Sequence, residues 1–456
     1  MTMEATARNE LVAASAHELA RRVGDRQISP VEVVQAHLDR IQATDGQLHA
    51  FQTVLADEAL AEAEALAARD DLGQLPLAGV PVAVKDNVDV RGVPTRHGSA
   101  ATSDQPAQAD DELVVRLRRA GCVVIGKTQM PELAIWPFTE PTASPVTRNP
   151  WDPTRTPGGS TGGGAVAVAT GMAALALGSD GGGSIRVPAA CCGLFGIKPG
   201  PGLVPLAGGQ AEHWYGMTAF GPLARTVADA ALALDVLAGT DSYRRPRPPE
   251  RPLRIAFSAR HPVLGVRVAP AARAALDEAV DALRDAGHTL VRATPPYPAN
   301  MGLRFSNRWL AGIAQDAQDL PTDRLEARTQ NMVRRGRRVA RKAKPASADP
   351  FTAAVASWFA PYDALLTPTL AKAPVPIGTW SRGWVRTMLG VANWMFTPAW
   401  NLAGLPAASI PFGMDGDLPL GLQLVAPAGG EQTVLAVATQ LERLRPWPPI
   451  APSVTG

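Results

Sequence analysis

The stretch Gly79-VPVAV-Lys85 is an apolar run that ends in a lysine. A short, continuous apolar run next to a glycine is typical of a strand that is buried on both faces of a sheet. Gly121-CVVI-Gly126 has the same character, and the segment 110–120 between the two runs places Leu113 and Leu117 at helical spacing. A strand, a helix and a second strand in this order indicate an α/β fold.

Helical patterns lie on both sides of this core. Ser29 and Glu32 form a capping-box pair ahead of apolar residues at helical spacing, and a run rich in alanine and glutamate covers 57–69. The weakly polar segment 165–177 predicts a buried helix and is too short to span a bilayer. The segment 321–350 is polar and basic, so we expect an insertion or a lid there.

The composition excludes several classes of protein. Of the 456 residues, 46% are hydrophobic and 19% are charged, which excludes a mainly disordered chain. The net charge of +2 gives no electrostatic reason to expect binding to nucleic acid or to an anionic membrane. Three cysteines cannot form a disulfide framework for this length, and the N-terminus lacks an apolar signal-peptide core. We therefore expect a soluble cytoplasmic protein.

Two glycine-rich loops contain serines that could take part in chemistry. They are Pro157-GGSTGGG and Ser179-DGGGSIRVP, and either could be no more than a surface turn. A phosphate-binding loop would need a lysine after the glycines, which is missing here. The run 158–162 does match the Gly-x-Ser-x-Gly nucleophile elbow, which requires a histidine base. The histidines that follow lack a persuasive setting; they are His213, His261 and His288.

Lys85 offers a different interpretation of the same loops. A lysine after an apolar strand is often a solvated strand end. It also lies where the C-terminal ends of strands gather, which is the usual active-site face of an α/β sheet. Shielded from water there, its pKa would fall and it could act as a base. The chain has no His-Glu-x-x-His or Cys-x-x-Cys motif, so we expect no metal and no cofactor.

The sequence resembles the amidase signature family over most of its length. The similar phrases are Gly79-VPVAVKDN, Gly126-KTQMPELA, Thr147-RNPWDPTRTPGGSTGGG, Gly178-SDGGGSIRVPAACCGLFGIKP, Gly221-PLARTVADAALALDVLAG and Asn401-LAGLPAASIPFG. The family uses two serines at a fixed separation, with a lysine at a fixed distance before the first serine. Ser160, Ser184 and Lys85 reproduce both of these spacings. The resemblance implies an α/β fold with a mixed central β-sheet covered by helices on both faces.

The resemblance also assigns roles to these residues. Ser184 would be the nucleophile, Ser160 a bridging serine after a cis peptide bond, and Lys85 the base. The enzyme would hydrolyse carboxylic amides, and also esters, through an acyl-enzyme. An oxyanion hole would consist of the backbone N–H groups of Gly181, Gly182, Gly183 and Ser184.

Three positions depart from the family pattern, and two others match it. Thr161 stands where a serine is usual, Gly181 where threonine is usual, and Gln129 where asparagine is commoner. Asp180 and Arg186 match positions that flank the nucleophile, and we interpret them as a pair that braces the loop.

The implied organisation is an N-terminal helical segment, 1–65, packed on a single catalytic domain, 66–456. The expected partner is a small-molecule amide substrate, and a homodimer is an expectation from the family alone. The alternatives are the glutaminase A subunit of a tRNA-dependent amidotransferase and a non-catalytic relative. Residues 199–221 lack the Tyr-Gly-Arg-x-Ser segment of that subunit, which favours a free-standing hydrolase.

Two later segments have unusual compositions. The run 334–344 is strongly basic, which we interpret as a solvated helix face and not as a nucleic-acid patch, because the net charge is only +2. The segment 380–400 is crowded with aromatic residues, and 135–138 reads Ile-Trp-Pro-Phe. We expect these two segments to line an apolar substrate channel. The aromatic residues in the later segment are Trp380, Trp384, Trp394, Phe396 and Trp400.

Overall fold

A computed structural model of the chain describes residues 3–381, 383–448, 450 and 451. Within this part of the chain, one sheet of eleven strands runs through the molecule, in the order β1-β3-β2-β4-β6-β5-β10-β11-β9-β7-β8. The strands are β1 Phe51–Val54, β2 Pro81–Lys85, β3 Val123–Thr128, β4 Leu175–Asp180, β5 Phe195–Lys198, β6 Ala219–Ala224, β7 Arg254–Phe257, β8 Thr289–Arg292, β9 Ala364–Pro368, β10 Ala407–Asp415 and β11 Leu418–Val425.

The sheet is mixed, which confirms the expected fold class. Strand β2 pairs in parallel with both β3 and β4, and β7 pairs in parallel with β8 and β9. The central strands β4, β6, β5, β10 and β11 pair with one another antiparallel. The predicted strands that begin at Gly79 and at Gly121 are β2 and β3, and all residues of both are buried.

Fifteen helices lie within the described residues. They are α1 Met3–Ala13, α2 Ala16–Gly24, α3 Pro30–Leu48, α4 Ala56–Ala67, α5 Glu112–Arg119, α6 Gly162–Ala169, α7 Arg186–Cys192, α8 Val227–Ala238, α9 Pro270–Asp285, α10 Met301–Asp316, α11 Ala327–Val339, α12 Pro350–Phe359, α13 Trp384–Ala392, α14 Pro398–Leu402 and α15 Glu431–Leu444. The capping box at Ser29 is formed, with both of its hydrogen bonds, at the start of α3. None of the helices in the described residues is long and apolar enough to cross a bilayer.

The predicted helix over 165–177 is wrong in its second half. Helix α6 ends at Ala169, and Gly171 follows with a φ of 74°, a left-handed conformation that is common after helix ends. Leu175 and Leu177 instead belong to β4, where they pair with β2. Apolar periodicity cannot separate a buried helix from a buried strand, and here the pairing with β2 decides the structure.

Two features of the sheet position the chemistry. Lys85 is the last residue of β2, and Asp180 is the last residue of its parallel neighbour β4. The C-terminal ends of these strands therefore meet at one edge, and helices α6 and α7 begin within the two glycine-rich segments. The domain boundary near residue 65 and the lid role of 321–350 stay predictions.

Candidate active site

Lys85 is buried in a polar pocket made by two serines. Its side chain has 0% exposure, and its Nζ donates to Ser160 Oγ at 2.7 Å. The same Nζ reaches Ser179 Oγ at 2.9 Å and the Ser179 carbonyl at 3.3 Å. Burial lowers the pKa of Lys85 to about 7, an effect that the negative charge of Asp180 partly opposes. An amine in this setting is partly neutral at physiological pH.

Ser160 lies just ahead of α6, in the first glycine-rich loop. The peptide bond between Gly159 and Ser160 is cis, as the family resemblance implied. Ser160 is fully buried, so solvent does not reach its hydroxyl directly. The Lys85 amine contacts this hydroxyl, which places a possible proton acceptor next to it.

Ser184 is more accessible than the other two residues. It is half-buried and lines an apolar cavity, whereas Ser160 and Lys85 lie behind it. The Ser184 carbonyl accepts a hydrogen bond from the Thr161 N–H at 3.1 Å, which ties the two glycine-rich loops together. The order from solvent inward is therefore Ser184 first, then Ser160 and Lys85.

The loop before Ser184 exposes fewer backbone donors than the family resemblance implied. The N–H of Gly183 donates to Asp180 Oδ1 at 2.6 Å, so it has a partner other than a substrate oxygen. No acceptor within the described residues is assigned to the N–H groups of Gly181, Gly182 and Ser184. The Gly183 N–H therefore differs from the other three N–H groups of this loop, because it alone among them bonds to Asp180.

Asp180 and Arg186 form the predicted pair, with no solvent exposure on either side chain. Arg186 Nε and one terminal nitrogen each donate to a different oxygen of the Asp180 carboxylate at 2.9 Å. Arg186 also donates to Gln423 and Asn401 at 2.7 and 2.6 Å. With this many partners, the guanidinium has little capacity left for a substrate, and its contacts hold the loop that contains Ser184 against β11 and α14.

The electrostatics of Asp180 follow from these contacts. Burial alone would raise its pKa, but the charge of Arg186 and hydrogen bonds from Arg186 and Asn401 outweigh burial and hold the pKa well below its usual range. Asp180 therefore stays ionised. Removing one partner of such a buried pair typically destabilises a protein by about 3–5 kcal/mol, because the other charge is left uncompensated.

Thr161 takes the place of the usual serine without disturbing the site. Its hydroxyl donates to the Ser179 carbonyl at 3.3 Å, so the hydrogen-bonding function of a serine is kept. Its extra methyl group points toward Gly178 and Gly164, neither of which has a side chain to oppose it. Gln129, the other polar replacement, accepts a hydrogen bond from Ser144 at 2.9 Å.

The cavity next to Ser184 is apolar, but its lining differs from the prediction. From the segment 135–138, Ile135, Trp136 and Pro137 line the cavity, whereas Phe138 does not. From 380–400, however, methionine and aliphatic side chains face the cavity, while most of the aromatic rings of that segment are buried in the core. Aromatic lining residues come instead from α10 and from the loop before β6. Prominent lining residues are Ile135, Trp136, Trp214, Phe305, Trp309, Met388, Val391 and Met395.

The histidines required by the nucleophile-elbow interpretation have other partners. Both ring nitrogens of His213 are engaged, one with Thr218 and one with Asp316. The Nδ1 atoms of His261 and His288 accept backbone N–H groups. This interpretation lacks a histidine next to Ser160. Within the described residues, moreover, no group of three or more metal-ligating side chains has the geometry of a metal site.

Sequence reasoning missed several residues of the site. Ser179 provides two of the three hydrogen bonds of the Lys85 amine. Its place near the C-terminal end of β4, which is parallel to β2, could have pointed to this contact. Asn401 donates to Asp180 from a distant part of the chain, and no local pattern marks it. The position of Trp214 in the cavity wall beside Ser184 likewise has no signal in the sequence.

A family model described as Amidase matches residues 32–435. The chain belongs to the amidase signature family. A protein named putative amidase AmiB2, from Mycobacterium tuberculosis, is 44% identical over 463 residues, covering 98% of this chain and 99% of the relative. The match supports an amide-hydrolysing enzyme.

Solved structures of amidase signature enzymes are similar to this chain over nearly its full length. A structure of 6-aminohexanoate cyclic dimer hydrolase with substrate has a TM-score of 0.87 at 29% identity, covering 98% of this chain and all of that one. A bacterial aryl acylamidase has a TM-score of 0.82 at 26% identity, covering 97% of this chain and 98% of that one. The fold of this amidase is therefore that of amidase signature enzymes over nearly the full length.

Proposed function

We propose that this amidase cleaves small carboxylic amides, and also esters, through an acyl-enzyme on Ser184. The observation that supports this most is the geometry of Lys85, whose buried Nζ lies 2.7 Å from Ser160 Oγ and whose pKa is lowered to about 7. A partly neutral amine against a buried hydroxyl can act as a base for the accessible serine in front of it. Ser184 is that serine, and it lines the apolar cavity.

The proton path follows from the contacts of Lys85. The neutral amine can donate its two hydrogens to the hydroxyl and carbonyl of Ser179, which leaves its lone pair directed at Ser160. Lys85 then takes the proton of Ser160 while Ser160 takes the proton of Ser184, and Ser184 Oγ bonds to the substrate carbonyl carbon. The return of that proton through Ser160 to the amide nitrogen breaks the C–N bond and releases the amine. Water, activated by the same relay, hydrolyses the acyl-enzyme.

The negative charge on the carbonyl oxygen needs donors that are already in place. We assign this role to the N–H groups of Gly181, Gly182 and Ser184, because the N–H of Gly183 is bound to Asp180. Loss of one oxyanion donor typically costs about 10²–10³-fold in rate. The ionised Asp180 holds the Gly183 N–H and the loop around it, and so keeps the three donors positioned.

The lining of the cavity favours an apolar acyl group over glutamine. A glutamine substrate would place a charged amino acid head group among tryptophan, phenylalanine and methionine side chains, where it would lack hydrogen-bond partners. The similar solved enzymes include an aryl acylamidase and a hydrolase of an aminohexanoate dimer, whose names fit amides with substantial apolar parts. We therefore place the glutaminase-subunit alternative second.

A partitioning experiment tests the acyl-enzyme. An amide and an ester of the same acyl group are hydrolysed in the presence of hydroxylamine, and the ratio of hydroxamate to acid is measured. Because both substrates would form the same acyl-enzyme on Ser184, the ratio is expected to be identical for the two at each hydroxylamine concentration. Different ratios would show that water attacks the substrates directly, and would contradict the proposal.

We predict that activity rises with the length of the acyl chain. Along a series from acetamide to hexanamide, kcat/KM is expected to increase roughly fourfold per added methylene at first, the equivalent of about 0.8 kcal/mol of apolar burial. A second series keeps the acetyl group and lengthens the amine. A gain in the first series alone would assign the cavity to the acyl group, and a flat first series would contradict that assignment.

A further inference from the structure

Trp214 fills the space next to Gly181 in the nucleophile loop. A Cβ placed on Gly181 would lie 2.6 Å from Trp214 Cε3 and 2.9 Å from Cζ3, distances that side chains do not tolerate. Gly181 stands where threonine is usual in the family. The missing side chain does not leave the loop loose, as its composition alone suggests, because an indole ring packs directly against the backbone.

Helix α10 holds this ring from the other side. The Trp214 indole N–H donates to Asp316 Oδ2 at 2.7 Å, and the other oxygen of Asp316 contacts His213 Nε2 at 3.0 Å. Gly312, one turn before Asp316, approaches the ring so closely that a Cβ there would lie 2.4 Å from Trp214 Cδ1. The ring is therefore clamped between two positions without side chains and fixed in orientation by a carboxylate.

The same ring faces the apolar cavity beside Ser184. It lines this cavity together with Phe305 and Trp309 of α10. Trp214 also has a backbone φ of 48°, a left-handed conformation that is uncommon for a bulky residue and that its surroundings must hold in place. The side chain of Trp214 thus packs against the backbone at Gly181, lines the cavity beside Ser184 and contacts helix α10.

We propose that Trp214 is a specificity-determining and positioning residue that acts as a pair with Gly181. The ring packs against the peptide at Gly181, and so places its N–H for the oxyanion, and it limits the width of the acyl pocket. This inference rests on the proposed function, because it assumes that the Gly181 N–H and Ser184 act on a substrate carbonyl. In this protein the indole replaces the support that a threonine side chain at position 181 would give.

A double-mutant cycle tests the pair. Gly181→Thr alone should displace the ring and lower kcat by about 10²-fold with little change in KM, the size expected for one misplaced oxyanion donor. Trp214→Ala alone should shift selectivity toward bulkier acyl groups, measured as the ratio of kcat/KM for a branched and a linear acyl amide. The kcat of the double variant should be at least about tenfold higher than that of Gly181→Thr. The effects of the two substitutions are not expected to add, because the two side chains compete for the same space.

The controls separate failure of this inference from failure of the proposed function. Gly46→Thr adds the same side chain in helix α3, at a position where an added Cβ would have no atom from outside its own helical turn within 4 Å, and should leave kcat unchanged. If Gly181→Thr does not fold, Gly181→Ala replaces it in the cycle, since its Cβ alone meets the ring. The pairing would be overturned if the two substitutions had additive effects on kcat, or if kcat of Gly181→Thr were within about threefold of the wild-type value. In either case, labelling of Ser184 in the wild type by a fluorophosphonate would leave the proposed function standing. Absence of that label in the wild type would instead overturn the proposed function.

Discussion

Replacement of Ser184 by alanine is expected to lower kcat/KM by at least about 10³-fold, since the variant cannot form an acyl-enzyme. The cavity and the remaining backbone donors would still bind substrate, so the loss should fall on kcat more than on KM. A fluorophosphonate probe should label Ser184 in the wild type, because Ser184 lines the cavity, whereas Ser160 is fully buried.

The measurement combines steady-state kinetics with mapping of the labelled peptide by mass spectrometry. Ser144→Ala is a matched control, because Ser144 is a partly buried serine that bonds to Gln129 and makes no contact with Lys85. It should keep both turnover and labelling. Labelling of Ser160 with Ser184 untouched would favour the Gly-x-Ser-x-Gly interpretation and would contradict the roles proposed here.

The parts of the site that sequence can predict are those set by local chemistry and by fixed spacing. Lys85 is recognisable because a polar residue follows a continuous apolar strand, and strand β2 ends there. Asp180 ends strand β4 and Arg186 begins helix α7 only six residues later, so the contact between them is nearly local. The helix at Ser29 is predictable from its capping residues alone, since a capping box needs no tertiary contact.

The parts that sequence cannot predict depend on packing between distant segments. Nothing near Gly181 indicates that a tryptophan from a later loop covers it, because that contact depends on α10 holding the ring. The composition of the aromatic segment 380–400 predicts that it faces the substrate, but Trp394 and Trp400 have 0% exposure within the core. Hydrophobicity predicts that a side chain leaves water, and cannot distinguish a core from the wall of a cavity.

The arrangement divides the site into an apolar front and a polar back. The cavity beside Ser184 is lined by tryptophan, phenylalanine and methionine side chains, whereas the groups proposed to move protons are buried near the ends of two parallel strands. The burial of Lys85 has two consequences for the polar part of the site. It keeps water away from the groups that we propose to transfer protons, and it lowers the pKa of the amine. Arg186 supports the site, because its hydrogen bonds join the loop that contains Ser184 to β11 and α14.

The pH dependence of the reaction should report the ionisation of Lys85. The proposed base is the neutral amine, and its pKa lies at about 7, so kcat/KM should rise about tenfold per pH unit below 7 and level off above it. Lys85→Ala should lower kcat/KM by about 10²–10⁴-fold, the usual contribution of a general base. Lys85→Arg should not restore activity, because a guanidinium stays protonated in this range.

A second buried lysine makes this prediction testable by comparison. Burial also lowers the pKa of Lys198 to about 7, but its Nζ donates to the carbonyl of Pro199 and not to a serine. Lys198→Met should therefore keep the inflection in the pH profile, as should His261→Ala and His288→Ala, with folding verified for each by circular dichroism. His213→Ala, which also perturbs the Trp214 contact, should retain a base and the same inflection. Among these residues, only Lys85 contacts Ser160. The assignment of Lys85 as the base would be wrong if Lys85→Ala kept near-normal turnover while one histidine variant or Lys198→Met lost the inflection in the pH profile.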